Sequence, residues 1–75
     1  MNLSVESGTG LHGDIEPRSF LLGGRRFSVL EICDRWIARD HSYFKIRADD
    51  GATYILRHDE LNLEWQLTLY RAPGL

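Results

Sequence analysis

The segment from Tyr43 to His58 constrains the fold most, because it has the pattern of a β-hairpin. Two runs rich in aromatic and β-branched residues, 43–48 and 52–58, flank Asp49-Asp50-Gly51. Apolar and polar residues alternate within each run, as in half-buried strands, and a short segment ending in glycine is typical of a tight turn. The segment therefore predicts two antiparallel strands joined by this turn.

The same alternation selects the register of the hairpin. A two-residue turn at Asp50-Gly51 would place Phe44 opposite Arg57. A three-residue loop over 49–51, with glycine at positive φ, would place Phe44 opposite Leu56 and make one face wholly apolar. We predict the three-residue loop, which leaves these side chains on the outer face: Tyr43, Lys45, Arg47, Thr53, Ile55 and Arg57.

Two other segments predict strands. Phe20-Leu21-Leu22 precedes a tight turn at Gly23-Gly24, and the residues from Leu63 to Arg71 alternate between apolar and polar. This second alternation directs Leu63, Trp65, Leu67 and Leu69 inward. Pro73 is expected to end the sheet, since proline donates no ladder hydrogen bond.

The segment from Arg25 to Arg39 is compatible with a strand or a helix. Val29, Ile32, Cys33, Trp36 and Ile37 recur at helical spacing. The β-rich start at Phe27, the preceding glycine turn and the lack of a capping residue favour a strand. As a strand it changes phase, which indicates a bulge near Leu30 or Glu31.

Residues 1–17 carry three glycines and scattered polar residues, so we expect a flexible tail, with a short edge strand at Leu3 and Val5 as the alternative. Residues 18–72 then form an all-β domain, a small SH3-like barrel of four to five antiparallel strands. The predicted core is Phe27, Val29, Ile32, Phe44, Ile46, Tyr54, Leu56, Trp65, Leu67 and Leu69.

Composition excludes several classes of protein. With 75 residues the chain makes one domain, and its single cysteine, Cys33, allows no internal disulfide and no zinc site of its own. Cys33 is expected to be a small buried residue, and His12 a solvated one. The start of the sequence lacks the pattern of a secretory signal and no apolar run is long enough to span a bilayer, so we expect a cytoplasmic location by default.

Several short motifs stand out along the chain. They are Gly24-Arg25-Arg26-Phe27, Asp34-Arg35-Trp36, Tyr43 to Arg47, Asp50-Gly51, Tyr54-Ile55-Leu56 and the later Trp65-Gln66-Leu67. Together they resemble a family of small bacterial domains of unknown function. The resemblance supports a strand over residues 25–36. It also implies a nucleic-acid context, since similar domains accompany translesion-polymerase-like proteins.

The net charge of −2 is unevenly distributed. Residues 1–17 carry −3, residues 18–47 carry +4 and residues 48–75 carry −3. Eight of the nine basic residues are arginine, which favours bidentate and stacking contacts. These charges either pair across the sheet or belong to a binding face. The candidate binding residues are Arg25, Arg26, Trp36, Arg39, Tyr43, Lys45, Arg47 and Arg57.

Such a face suits two kinds of macromolecular partner. A protein partner, held in an aromatic groove of Trp36, Tyr43 and Tyr70 beside acidic loop residues, is favoured by the net negative charge. Single-stranded nucleic acid is the alternative, with bases stacked on the aromatic rings. The Asp34-Arg35-Trp36 group would be either a structural brace or part of the site. We expect a monomer or weak homodimer, no catalytic residue, no metal and no cofactor.

Overall fold

The computed structural model describes residues 2–10 and 13–71, and the predictions for His12 and Pro73 lie outside them. Six strands follow one another along the chain and form a closed antiparallel barrel in sequence order. The all-β barrel is confirmed, with six strands in place of four to five. The strands are β1 (Asn2–Thr9), β2 (Ile15–Leu22), β3 (Arg25–Ile37), β4 (His41–Ala48), β5 (Thr53–Asp59) and β6 (Glu64–Arg71).

The N-terminal segment differs from the predicted flexible tail. Residues 2–9 form β1, which pairs with β2 along its length and with β6 at Asn2 and Leu3. Leu3 and Val5 pack against the core, and Pro17 is fully buried. Two alternating apolar side chains are enough to attach this strand to the barrel. They hardly change the glycine-rich, polar composition of the segment, so composition did not reveal the strand.

The central hairpin has the predicted register. Phe44 pairs with Leu56 and Ile46 with Tyr54. The amide of Ala48 donates to the carbonyl of Ala52 at 3.0 Å, and Gly51 adopts a φ of +82°. Glycine is needed there because this φ is costly for any residue with a Cβ.

Strand β3 confirms the strand interpretation over the helix, and it bends at two bulges. The pairing with β4 shifts between Val29 and Glu31, as predicted, and again between Ile32 and Asp34. Each bulge adds one residue, so the inward positions Val29, Ile32 and Arg35 recur every three residues. That spacing explains why the sequence resembled a helix.

Strand β6 contains a bulge that its clean alternation did not reveal. Leu67 pairs with Leu56 but Leu69 pairs with Ile55, so Thr68 is the extra residue. Its hydroxyl donates to the carbonyl of Ile55 at 2.9 Å. The bulge turns Leu69 outward, so the prediction that it faces inward is wrong, and the residue is 51% exposed. The same prediction is wrong for Leu63, which is 74% exposed because it lies in the connection before β6 and not in the strand.

The observed core otherwise follows the predicted one. Six predicted residues are buried and three more are partly buried around them, while Phe20, Ala48 and Ala52 join the buried set. Phe20 packs against Phe27 and Tyr54, with ring centroids 5.4 and 5.0 Å away. The buried predicted residues are Phe27, Phe44, Ile46, Tyr54, Leu56 and Trp65.

Strands β2 and β3 pair only near their shared turn. The register runs from Leu22–Arg25 to Ser19–Ser28, and beyond it the strands diverge around a cavity of about 290 Å³. The guanidinium of Arg35 forms an ion pair with Glu16 across this opening. Arg35 also lies over the ring of Phe44 at 5.8 Å, so it links the two strands and covers the core.

Candidate functional site

The outward-facing side chains of β3 to β6 form three rows across the barrel, which we call the outer face. Antiparallel partners place their side chains on the same side of a sheet, so the register gives these rows directly. They are Trp36–Tyr43–Arg57–Gln66, Asp34–Lys45–Ile55–Leu69 and Glu31–Arg47–Thr53–Arg71. The predicted orientation of Tyr43, Lys45 and Arg47 away from the core is confirmed.

A groove with a volume of about 320 Å³ lies on this outer face. Its apolar part consists of Trp36, Ile55 and Leu69, and Trp36 and Leu69 are about half exposed. Its polar part consists of Lys45, Thr53 and Arg71. We refer to these six residues as the groove.

The bulges of β3 and β6 create the apolar part of the groove. The bulge at Cys33 brings Trp36 to the outer face beside Tyr43, and the bulge at Thr68 brings Leu69 there beside Ile55. Bulges commonly re-aim side chains in this way near functional sites. Because each bulge turns a large apolar side chain outward, the groove depends on both.

Most arginines of the predicted site are paired within the chain. Arg47 lies 3.2 Å from Glu31 and Arg57 lies 3.6 Å from Asp59. Arg26 is paired with Glu6, and Arg25 lies over the ring of Phe27 at 4.7 Å. Pairing of charges across the sheet therefore holds for Arg47 and Arg26, whereas Arg57 pairs within its own strand.

The structure brings together five of the eight predicted binding residues. Trp36, Tyr43, Lys45, Arg47 and Arg57 share the outer face. Arg25 and Arg26 lie on the other side of β3's first bulge, at the β2–β3 turn, and Arg39 lies in the β3–β4 connection. These three arginines do not line the groove.

Sequence reasoning missed four residues that line the groove. Ile55 and Thr53 were placed on the outer face but not in the site, Leu69 was placed in the core, and Arg71 was placed only at the end of the last strand. No signal in the sequence marks the bulge at Thr68. Tyr70 was expected to line the groove with Trp36, but the bulge moves it next to Tyr54, where the ring centroids are 5.1 Å apart.

In the Asp34-Arg35-Trp36 group, the first two residues form a structural brace and the third belongs to the candidate site. The carboxylate of Asp34 accepts a hydrogen bond from the amide of Arg35 at 2.8 Å, which fixes the chain beside the bulge. Arg35 is the link to Glu16 described above. Trp36 does not cover the core, and it belongs to the groove.

Cys33 is exposed, contrary to the expectation of a small buried residue. As the extra residue of the second bulge, it has no partner position on β4. Among the described residues, no group of three His, Cys, Asp or Glu side chains could hold a metal ion.

Two carboxylates near the ends of β5 have perturbed acidity. The pKa of Asp50 is lowered. Partial burial opposes ionisation of this carboxylate, but the hydrogen bonds that it accepts from the Tyr54 hydroxyl at 2.7 Å and the Ala52 amide at 3.0 Å outweigh the effect of burial. Hydrogen bonds from the Asn62 and Leu61 amides, together with Arg57, lower the pKa of Asp59. Both groups stabilise turns and lie outside the groove.

No protein-family model, curated protein or solved structure matches this chain. Within the described part of the chain, no helix is long and apolar enough to cross a membrane.

Proposed function

We propose that this chain is a non-enzymatic protein-interaction module that binds its partner through the groove. The observation that carries the proposal is an exposed apolar centre of Trp36, Ile55 and Leu69 surrounded by polar and charged side chains. Protein interfaces have this anatomy, with a large aromatic anchor near the centre and a polar rim.

The rim indicates the chemistry of the partner. Lys45 and Arg71 both line the groove, and Lys45 forms no ion pair with any described residue. A cation beside an apolar surface favours a ligand that combines a large apolar side chain with a carboxylate. We therefore infer that the partner presents a leucine-like side chain next to aspartate or glutamate.

Single-stranded nucleic acid is the second candidate. Trp36 and Tyr43 are neighbours across β3 and β4, which gives an aromatic surface on which a base could stack. Two of the cations on the outer face, Arg47 and Arg57, are however already paired with Glu31 and Asp59, and these ion pairs would compete with phosphates for them. This competition favours the protein partner.

A titration of the ¹⁵N-labelled protein separates the two candidates. One arm adds a short peptide of alternating leucine and glutamate, and the other adds a single-stranded oligonucleotide. We expect the peptide to shift the amides of β4, β5 and β6 around the groove, and Trp36→Ala to weaken its binding at least tenfold. Leu30→Ala is the matched control, because Leu30 is exposed on the same strand but lies outside the groove.

Two results would overturn the proposal. One is peptide binding that Trp36→Ala leaves unchanged. The other is an oligonucleotide response at the groove, weakening steeply as salt rises, with no peptide response. A cytoplasmic location remains a prediction from the sequence.

A further inference from the structure

The connection between β5 and β6, residues 60–63, forms a well-fixed turn that we call the leucine turn. The carboxylate of Asp59 accepts hydrogen bonds from the amides of Leu61 and Asn62 at 2.9 and 3.2 Å, and from the Asn62 side chain at 3.3 Å. The amide of Glu60 donates to the carbonyl of Asp40 at 3.0 Å. These bonds hold the turn in one conformation against the neighbouring β3–β4 connection.

This turn presents two leucines to solvent. Leu61 and Leu63 are 77% and 74% exposed, the largest exposures among the large hydrophobic side chains described. Leu63 also adopts a φ of +57°, the only positive φ of a described residue other than glycine. A strained backbone that exposes apolar side chains is characteristic of an interaction site.

The charge around the leucine turn is opposite to that around the groove. Glu60 and Glu64 flank the leucines and are exposed, and neither forms an ion pair with a described residue. The groove has the cations Lys45 and Arg71 beside its apolar centre. The turn thus carries the leucine and carboxylate chemistry that the groove favours.

The leucine turn cannot enter the groove of its own chain. Ile55 and Leu69 of the groove lie on β5 and β6, the same two strands that the turn connects. Paired strands hold their connecting turn beyond their ends, so the turn points away from the outer face of its own hairpin. Only another molecule can bring a leucine turn to the groove.

We propose that the leucine turn of one copy occupies the groove of a second copy. This inference rests on the proposed function, since it names the partner of the same groove. The contact is heterologous, because the two copies contribute different surfaces. A pair therefore leaves one turn and one groove unused, and further copies add head to tail.

Analytical ultracentrifugation over increasing protein concentration tests this arrangement. We expect the average mass of the natural chain to rise with concentration and to fall when salt is added, because carboxylates and cations meet in the contact. Leu61→Ser combined with Leu63→Gly removes the turn's leucines, and Trp36→Ala removes the centre of the groove. We expect each variant alone to associate at least tenfold more weakly, whereas Leu30→Ala associates like the natural chain.

Mixing the two variants gives the decisive measurement. The Trp36→Ala variant keeps its turn and the Leu61→Ser/Leu63→Gly variant keeps its groove, so one functional contact can form between them. We expect a one-to-one complex that grows no larger at higher concentration. Amide spectra of each variant establish that both remain folded.

Three outcomes contradict the inference. The first is a natural chain that stays monomeric at about 1 mM, a concentration at which even weak contacts with millimolar affinity are populated. The second is a variant that associates as strongly as the natural chain. The third is a mixture of the two variants that forms no complex. If the peptide of leucine and glutamate still binds and Trp36→Ala still weakens it, self-association fails while the proposed function stands. If peptide binding also fails, both fail together.

Discussion

At the scale of single residues, Leu63 is the clearest point of strain. Its side chain is exposed and its φ is positive, so leucine at this position contributes little to the stability of the fold. We predict that Leu63→Gly raises the free energy of unfolding by up to about 1 kcal/mol, because the left-handed region costs a non-glycine residue about that much. Urea unfolding followed by tryptophan fluorescence measures the change.

Leu61→Gly is the control for this prediction. Leu61 is as exposed as Leu63 but has a negative φ, so glycine should add flexibility to the unfolded chain and stabilise nothing. Equal effects of the two substitutions would mean that strain at Leu63 does not limit stability.

Asp50 and Tyr54 give the molecule a predictable response to pH. The folded pKa of Asp50 lies below its ordinary value of 3.8, so the unfolded chain binds more protons in acid and stability falls as the pH drops below about 4. We predict that Tyr54→Phe lowers stability at neutral pH by about 1 kcal/mol and flattens this acid dependence, because it removes the hydrogen bond to the carboxylate. Urea unfolding at a series of pH values checks both effects.

The same two residues also make the stability depend on pH in alkali, where stability falls as the pH rises. Burial, with the hydrogen bond to Asp50, raises the pKa of Tyr54 above its ordinary value of 10.0. Above pH 10 the unfolded chain therefore loses the tyrosine proton more readily, and stability falls as the pH rises. A Tyr54→Phe variant that keeps the full acid and alkaline dependence would contradict this account.

At the scale of elements, local chemistry made the hairpin of β4 and β5 predictable. The Asp50-Gly51 turn and the alternation beside it determine one register, and no distant contact is needed to choose it. Strand β3 was harder because its two bulges give the inward residues a period of three, close to that of a helix. The bulge in β6 was invisible because Leu69 suits a core and an exposed groove equally well.

The ion pair of Arg35 and Glu16 is predicted to stabilise the opening between β2 and β3. Both side chains are partly buried, at 34% and 17% exposure. In a double-mutant cycle with Arg35→Ala and Glu16→Ala, we expect a coupling free energy of about 1 kcal/mol, since charge-assisted hydrogen bonds gain strength away from water. Urea unfolding of the four proteins measures it.

The pair of Arg47 and Glu31 is the matched control. It also joins an arginine to a glutamate, but its side chains are 49% and 56% exposed. Its coupling should stay below about 0.5 kcal/mol because water screens exposed charges. A larger coupling here than at Arg35 would show that partial burial does not strengthen the latter pair.

At the scale of the whole molecule, β1 decides whether the barrel is closed. The expectation of a flexible tail would make residues 2–9 dispensable. The structure instead predicts that replacing Leu3 and Val5 by serine lowers the free energy of unfolding by about 2 kcal/mol or more, given about 1.5–3 kcal/mol for a fully buried large apolar side chain. Ser4→Ala, at an exposed position on the same strand, should leave stability within about 0.5 kcal/mol.

Thermal or urea unfolding distinguishes the two views of the N-terminal segment. A double serine variant as stable as the natural chain would restore the interpretation as a tail. The sequence could not decide this point, because the value of Leu3 and Val5 depends on a core assembled from residues far along the chain. The composition of residues 2–9 gives no information about the core surface against which they pack.

The contact between β1 and β6 also sets the order in which the chain folds. Asn2 and Gln66, whose side chains are hydrogen-bonded at 3.4 Å, are 64 positions apart in the sequence. Contacts between distant positions form late, because closing a long loop costs conformational entropy before the new contacts stabilise the chain. We therefore expect the neighbouring hairpins to assemble first, so substitutions at Leu3 should accelerate unfolding and leave the folding rate almost unchanged.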